Sequence, residues 1–173
     1  MQKYTKAFSA IHWIHALFIA LALLGGLFSL SELPKTLAGV DLSNYQKHMI
    51  IGIIVLFILI VRIILLKKQP QLPPLDVNKT RELIIEVNHK LLYVFIGFTA
   101  LSGMALAKSS NLGEIIFLKK DPNSFISSNL TEIIAQIHSV SAYILLGLII
   151  MHVAGVISYI LKGHKDILQR VWF

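Results

Sequence analysis

"HSVSAYILLGLIIMH", residues His138–His152, is a run of apolar, helix-forming residues with a histidine at each end. Fourteen residues of α-helix advance close to four full turns, so the two imidazoles leave nearly the same face about 21 Å apart along the axis. The hydrocarbon core of a bilayer is roughly 30 Å thick. A helix crossing it would hold the two rings near opposite surfaces. Ionisable groups within a span are costly and are usually functional. The spacing implies something held twice, once per leaflet.

The rest of the chain agrees with a membrane setting. Of 173 residues, 55% are hydrophobic and only 14% charged, against about 25% charged in an ordinary soluble domain. The mean hydropathy is +0.73. Four apolar runs of spanning length carry the excess: Ile11–Leu30, His48–Leu66, His89–Ala107 and His138–Leu161, each near the ~20 residues a crossing needs. The first follows Lys3 and Lys6 as a secretory leader would. It is too long for a leader's apolar core, and "FSLSELPK" offers no small-x-small cleavage site, so it reads as a retained helix.

The fold predicted is an all-α integral membrane protein, one four-transmembrane-helix bundle over residues 1–173. Lys3, Lys6, Lys67, Lys68, Lys79, Arg81, Lys162, Lys165 and Arg170 flank one side; Lys35, Lys47, Lys108, Lys119 and Lys120 flank the other. The positive-inside rule then puts both termini in the cytoplasm. The formal net charge of +7 reflects that bias and the attraction of basic segments to anionic lipid heads. Nucleic acid is not an expected partner, because the basic residues bracket apolar spans and form no stripe on a soluble surface.

The inner connection "KKQPQLPPLDVNKTR" carries Pro70, Pro73 and Pro74, which stop helix from running through it. Lys79–Asn88 reads as a short interfacial helix leading into the third span, and Asn129 as a cap for the fourth. The chain has no cysteine. Disulfides, thiol relays and thiolate metal sites are thereby excluded, and its seven histidines are the remaining strong metal ligands.

Placed by depth, His12, His15, His89 and His152 fall at the inner level, and His48 and His138 at the outer level. His164 lies past the last span as a solvated tail residue. A lone histidine at a helix end is ordinarily an interfacial group bonded to water or lipid. Two cross-bundle pairs at two depths, His48 with His138 and His152 with His12 or His15, instead fit two bis-histidine b-type haems, since bundle cores commonly hold cofactors between facing helices. Zinc would want three or four ligands at one depth. Arg62 follows His48 by the same fourteen residues and so lies at the inner level. It is either a snorkelling cation or a partner for a haem propionate or quinone carbonyl. Gly52 and Gly155 fall on the faces of His48 and His152, where a macrocycle needs room.

"IHWIHA", "QKHMIIGIIVLFILIVRIILL", "NHKLLYVFIGFTALSGMAL" and "IHSVSAYILLGLIIMH" together resemble the prokaryotic cytochrome b561 family across nearly the whole chain. In layout the chain is most similar to the diheme members that oxidise superoxide and reduce ubiquinone in the bacterial inner membrane. The resemblance implies that His12 and His152 ligate an inner haem b, and that His48 and His138 ligate an outer one. It implies that His89 donates a proton at a ubiquinone pocket, with Tyr159 beside it where such relatives carry histidine. Superoxide would be the outer electron donor. Lys119 and Lys120 are the candidate steering residues for it, although Glu32, Asp41, Glu114, Asp121 and Glu132 bring the outer loops close to neutral. Two alternatives stay open: a quinone-linked cytochrome subunit serving a periplasmic dehydrogenase or hydrogenase, and a haem-free channel or transporter lined by histidines.

Overall fold

The structure is a computed structural model describing residues 3–30, 34–37, 39–70, 72–73 and 77–170, apart from the side chains of Ser29, Lys165, Asp166 and Gln169. Glu32 and Pro74 lie outside the described residues. Five α-helices follow in order: α1 (Lys6–Leu24), α2 (Ser43–Leu66), α3 (Lys79–Ser109), the short α4 (Leu112–Leu118) and α5 (Asn129–Leu161). All but α4 are long and apolar enough to cross a membrane. The chain is an all-helical, multi-pass membrane bundle.

Polar residues at the aqueous ends start these helices. The Thr5 hydroxyl accepts from the Phe8 amide, and the Asn78 carbonyl oxygen from that of Arg81. Asp41 accepts from both the amide and the hydroxyl of Ser43 just ahead of α2, which holds its carboxyl below the usual carboxylate pKa. The cap of α5 is Ser128, whose hydroxyl accepts from the Thr131 amide at 3.2 Å. Asn129 is the first helical residue and not the cap. Gly163, at φ +98°, lies just past the end of α5 in a conformation that glycine adopts without penalty.

Four boundaries differ from the sequence expectations. α1 does not run uniformly to Leu30: its last turn, Gly25–Ser29, is π-helical, a widening often seen at functional sites. α3 is continuous from Lys79; Lys79–Asn88 is its first three turns, with no break before His89. α2 and α5 start five and nine residues before His48 and His138. The histidines therefore stand one or more turns inside their helices and not at the ends.

Most large apolar side chains point outward, including Phe28, Phe57 and Leu161, which are 80%, 66% and 81% exposed. Faces of this kind on a water-soluble monomer would drive association; here they meet lipid. The internal core is a mid-depth layer of Ile19, Leu23, Val55, Leu59, Ile96 and Leu145. A second cluster at the outer end packs Leu37 against Leu112, Ile115 and Ile116, so α4 caps that end. At the other end, the Tyr4 amide donates to the Arg170 carbonyl, bringing both ends of the chain together.

Helix α5 packs along α3, α1 along α2, and α2 along α3, while α5 shares no extended seam with α1 or α2. The space between α5 and the α1–α2 pair is where both pairs of histidines meet.

Candidate functional site

At the outer level, His48 of α2 and His138 of α5 face each other with ring centroids 6.1 Å apart. A metal–imidazole bond is roughly 2 Å, as in zinc sites, and a ring nitrogen lies about 1 Å from its centroid, so two rings across one metal ion stand roughly 6 Å apart. The His138 Nδ1–H donates to the Thr99 carbonyl at 3.0 Å, with Ser102 Oγ 3.1 Å away. A carbonyl can only accept, so the bond fixes the tautomer and leaves the Nε2 lone pair free for a metal. The Ala22 carbonyl faces the His48 ring, yet Nδ1 makes no hydrogen bond of its own.

Glycines make room for both rings. A Cβ at Gly26 would lie 3.1 Å from His48 Cε1, and one at Gly103 only 2.9 Å from His138 Cε1. A mostly apolar cavity of about 240 Å³ opens beside the pair, lined among others by Gly26, Gly52, Ala100 and Gly103. Gly52 faces open space, as does Gly155. The Gly155 carbonyl accepts a hydrogen bond from Arg81.

At the inner level, His12 of α1 and His152 of α5 have centroids 6.5 Å apart, again near the separation that two metal bonds set. His15 is fully buried and turned away: its Nε2 donates to the Val55 carbonyl at 3.1 Å. That geometry favours His12 as the α1 ligand. The His89 ring lies 5.0 Å from that of His152, too close for the two to ligate one metal ion from opposite sides. Among the described residues, no three His, Asp or Glu side chains converge on a metal-sized point, which removes the zinc alternative.

Arg62 Nη2 donates to His12 Nδ1 at 2.8 Å, and its guanidinium lies over the rings of Phe8 and Tyr93. Neither of the ion pairs in the described structure involves Arg62. A neutral imidazole has one lone pair, and the Arg62 bond occupies it. Iron ligation by His12 therefore requires Arg62 to release that ring, and an acidic propionate is the partner that matches its planar fork. Arg62 Nε, Ser9 Oγ and Asn88 Oδ1 are buried without partners. Buried polar groups left in that state are costly, and a bound group with acidic arms would satisfy the Arg62 and Ser9 donors. The paired imidazoles, glycine cradle and orphaned polar atoms all fit haem.

The family model described as prokaryotic cytochrome b561 matches residues 3–173. The chain belongs to the prokaryotic cytochrome b561 family. No curated protein and no solved structure matches it significantly. This b561 chain is thus a transmembrane electron-transfer cytochrome of a family that binds haem b.

The remaining candidate residues of this cytochrome lie as follows. His89 is exposed on α3 beside His152, and its Nδ1–H donates to the Ile85 carbonyl at 2.7 Å. Tyr159 is two turns beyond His152, and its ring contacts are His164 and Arg81, not His89. His164 is no solvated tail residue; it stacks on Tyr159 at 4.3 Å, because Gly163 folds the chain back over the end of α5. Lys119 and Lys120 follow α4 directly, and Lys120 is ion-paired with Glu114. Sequence reasoning missed Gly26, Gly103, Thr99 and Ser102. A glycine beside a facing histidine is visible only once the helices are paired in space.

Proposed function

We propose that this cytochrome oxidises superoxide at the outer end of the bundle and reduces ubiquinone at the inner end, in the bacterial inner membrane with both termini in the cytoplasm. The observation that carries the reading is the pair of cross-bundle imidazole couples, at two depths, between helices that share no extended seam. In each couple the chain would offer its two imidazoles to one haem b, two haems in all. Bound haem supplies the one-electron chemistry at each level. Two superoxide anions each give up one electron and leave as oxygen; ubiquinone takes two electrons and two protons to become ubiquinol.

The chain's residues divide the other tasks. His138 is held in the ligating tautomer by Thr99. Arg62 holds positive charge at the inner level, where it stabilises an acidic arm. His89 stands exposed beside His152, open to a lipid-soluble quinone. With Nδ1–H committed to Ile85, its Nε2 is left to pass a proton from water to the reduced quinone. The polar Glu86–Lys90 pair lies beside it, Glu86 about one turn before and Lys90 next in sequence. At the outer end, Lys119 carries the steering charge, since Lys120 is neutralised by Glu114.

Superoxide generated in solution should reduce ubiquinone through the purified haem-loaded protein, with two superoxide consumed per quinone. Failure of superoxide to reduce the protein, with reduction only by a co-purifying periplasmic dehydrogenase, would make it a quinone-linked subunit instead.

A further inference from the structure

At the inner end of the bundle, apart from both histidine pairs, a polar cavity of about 260 Å³ is lined by Val77, Asn78, Arg81, Tyr159, Lys162 and His164. Arg81 precedes His89 by eight residues and Tyr159 follows His152 by seven, which puts the cavity roughly 10–12 Å further along the helices. Among the described residues, no acidic side chain lines it.

Among the described residues the lining is rich in donors, and several of their N–H groups have no acceptor. Arg81 is anchored through Nη2 alone, which donates to the Gly155 carbonyl at 3.2 Å and to Ser158 Oγ at 3.3 Å. No described residue accepts from its Nη1 or Nε. Its guanidinium lies 5.6 Å over the Tyr159 ring, which is also stacked at 11° on His164. Tyr159 is only 7% exposed, and its hydroxyl makes no hydrogen bond to any described residue. A fixed guanidinium, an ammonium, a phenol and an imidazole facing one cavity call for a compact anion rich in acceptor oxygens. Phosphate matches the planar fork of arginine in two parallel bonds.

The position points to the source. The cavity lies at the ends of two spans whose neighbouring turns expose Leu83, Ile157 and Leu161 to lipid. Acyl chains can run along that surface while the headgroup enters the polar cavity. We propose that Arg81, Tyr159, Lys162 and His164 form a phosphate-binding site that takes the headgroup of an anionic phospholipid from the adjoining leaflet.

Native mass spectrometry of the full-length, haem-loaded protein in a phosphate-free detergent tests this by separate titration with phosphatidylglycerol and inorganic phosphate. Phosphatidylglycerol should bind, and Arg81→Gln should weaken it about tenfold or more, the loss of one charge-assisted bond, with haem content unchanged. Lys162→Gln, at an exposed residue past the helix end, should weaken it by less, and it serves if Arg81→Gln fails to fold. Selective retention of the lipid supports the headgroup as source; tighter binding of free phosphate overturns that source. Lipid binding indifferent to both substitutions, or haem lost with lipid binding intact, overturns the site.

Discussion

The two imidazole pairs give the sharpest predictions at the scale of single residues. His48→Ala and His138→Ala should each abolish the outer haem band and leave the inner one in an absorption spectrum. His12→Ala and His152→Ala should do the reverse. His15→Ala should keep both bands, because its Nε2 is spent on the Val55 carbonyl. Losing that buried bond should cost roughly 1–3 kcal/mol, read as a lower unfolding temperature. Retention of both haems in His12→Ala with loss in His15→Ala would reverse the assignment of the α1 ligand. His89→Ala should keep both haems yet slow their reoxidation by added ubiquinone in stopped-flow, and unchanged reoxidation sinks its proton-donor role. Arg62→Gln removes a cation beside the inner site, which favours the more positive oxidised state there. The inner midpoint potential should fall by about 60 mV, the one-electron equivalent of a tenfold effect, while the outer potential stays put. Equal shifts in both would contradict an inner location for Arg62.

Among elements, the glycines in contact with histidine matter more than those merely on a ligand's face. Gly103→Ala would press a methyl group to 2.9 Å from His138 Cε1, and forcing extra volume into a packed site typically costs about 1–3 kcal/mol. The variant should bind the outer haem more weakly in a titration of the haem-depleted protein. Gly147→Ala, on the same helix as His138 but with open space at its Cβ, should bind it normally. Equal behaviour of the two variants would mean that the His138 ring can shift freely. The helices themselves were legible from the apolar runs, since twenty apolar residues in succession have few alternatives. Their ends were not: Ser128 and Asn129 are both good caps by type, and only the bond to Thr131 selects the former. The π-helical turn at Gly25–Ser29 leaves no periodic trace in so apolar a stretch. It became visible only as the segment that brings Gly26 against His48.

For the whole molecule, depth was legible and lateral position was not. Counting residues along α5 placed His138 and His152 at separate levels, and counting along α2 placed Arg62 below His48. Neither count could tell that α5 shares no extended seam with α1 or α2, or that Arg62 is aimed at His12 and not at the membrane surface. The same limit explains Tyr159 and His164. One was grouped with His89 by resemblance and the other left to solvent, yet the turn at Gly163 stacks them on each other. Everything proposed for electron transfer rests on the two imidazole couples being separate haem sites. The direct measurement is the haem content and reduced absorption spectrum of the purified protein beside His48→Ala and His152→Ala. Two haems per chain are expected in the parent protein, and one in each variant, with a different component of the α band missing from each. Loss of the same component from both variants, or a parent protein with no haem band at all, would contradict it.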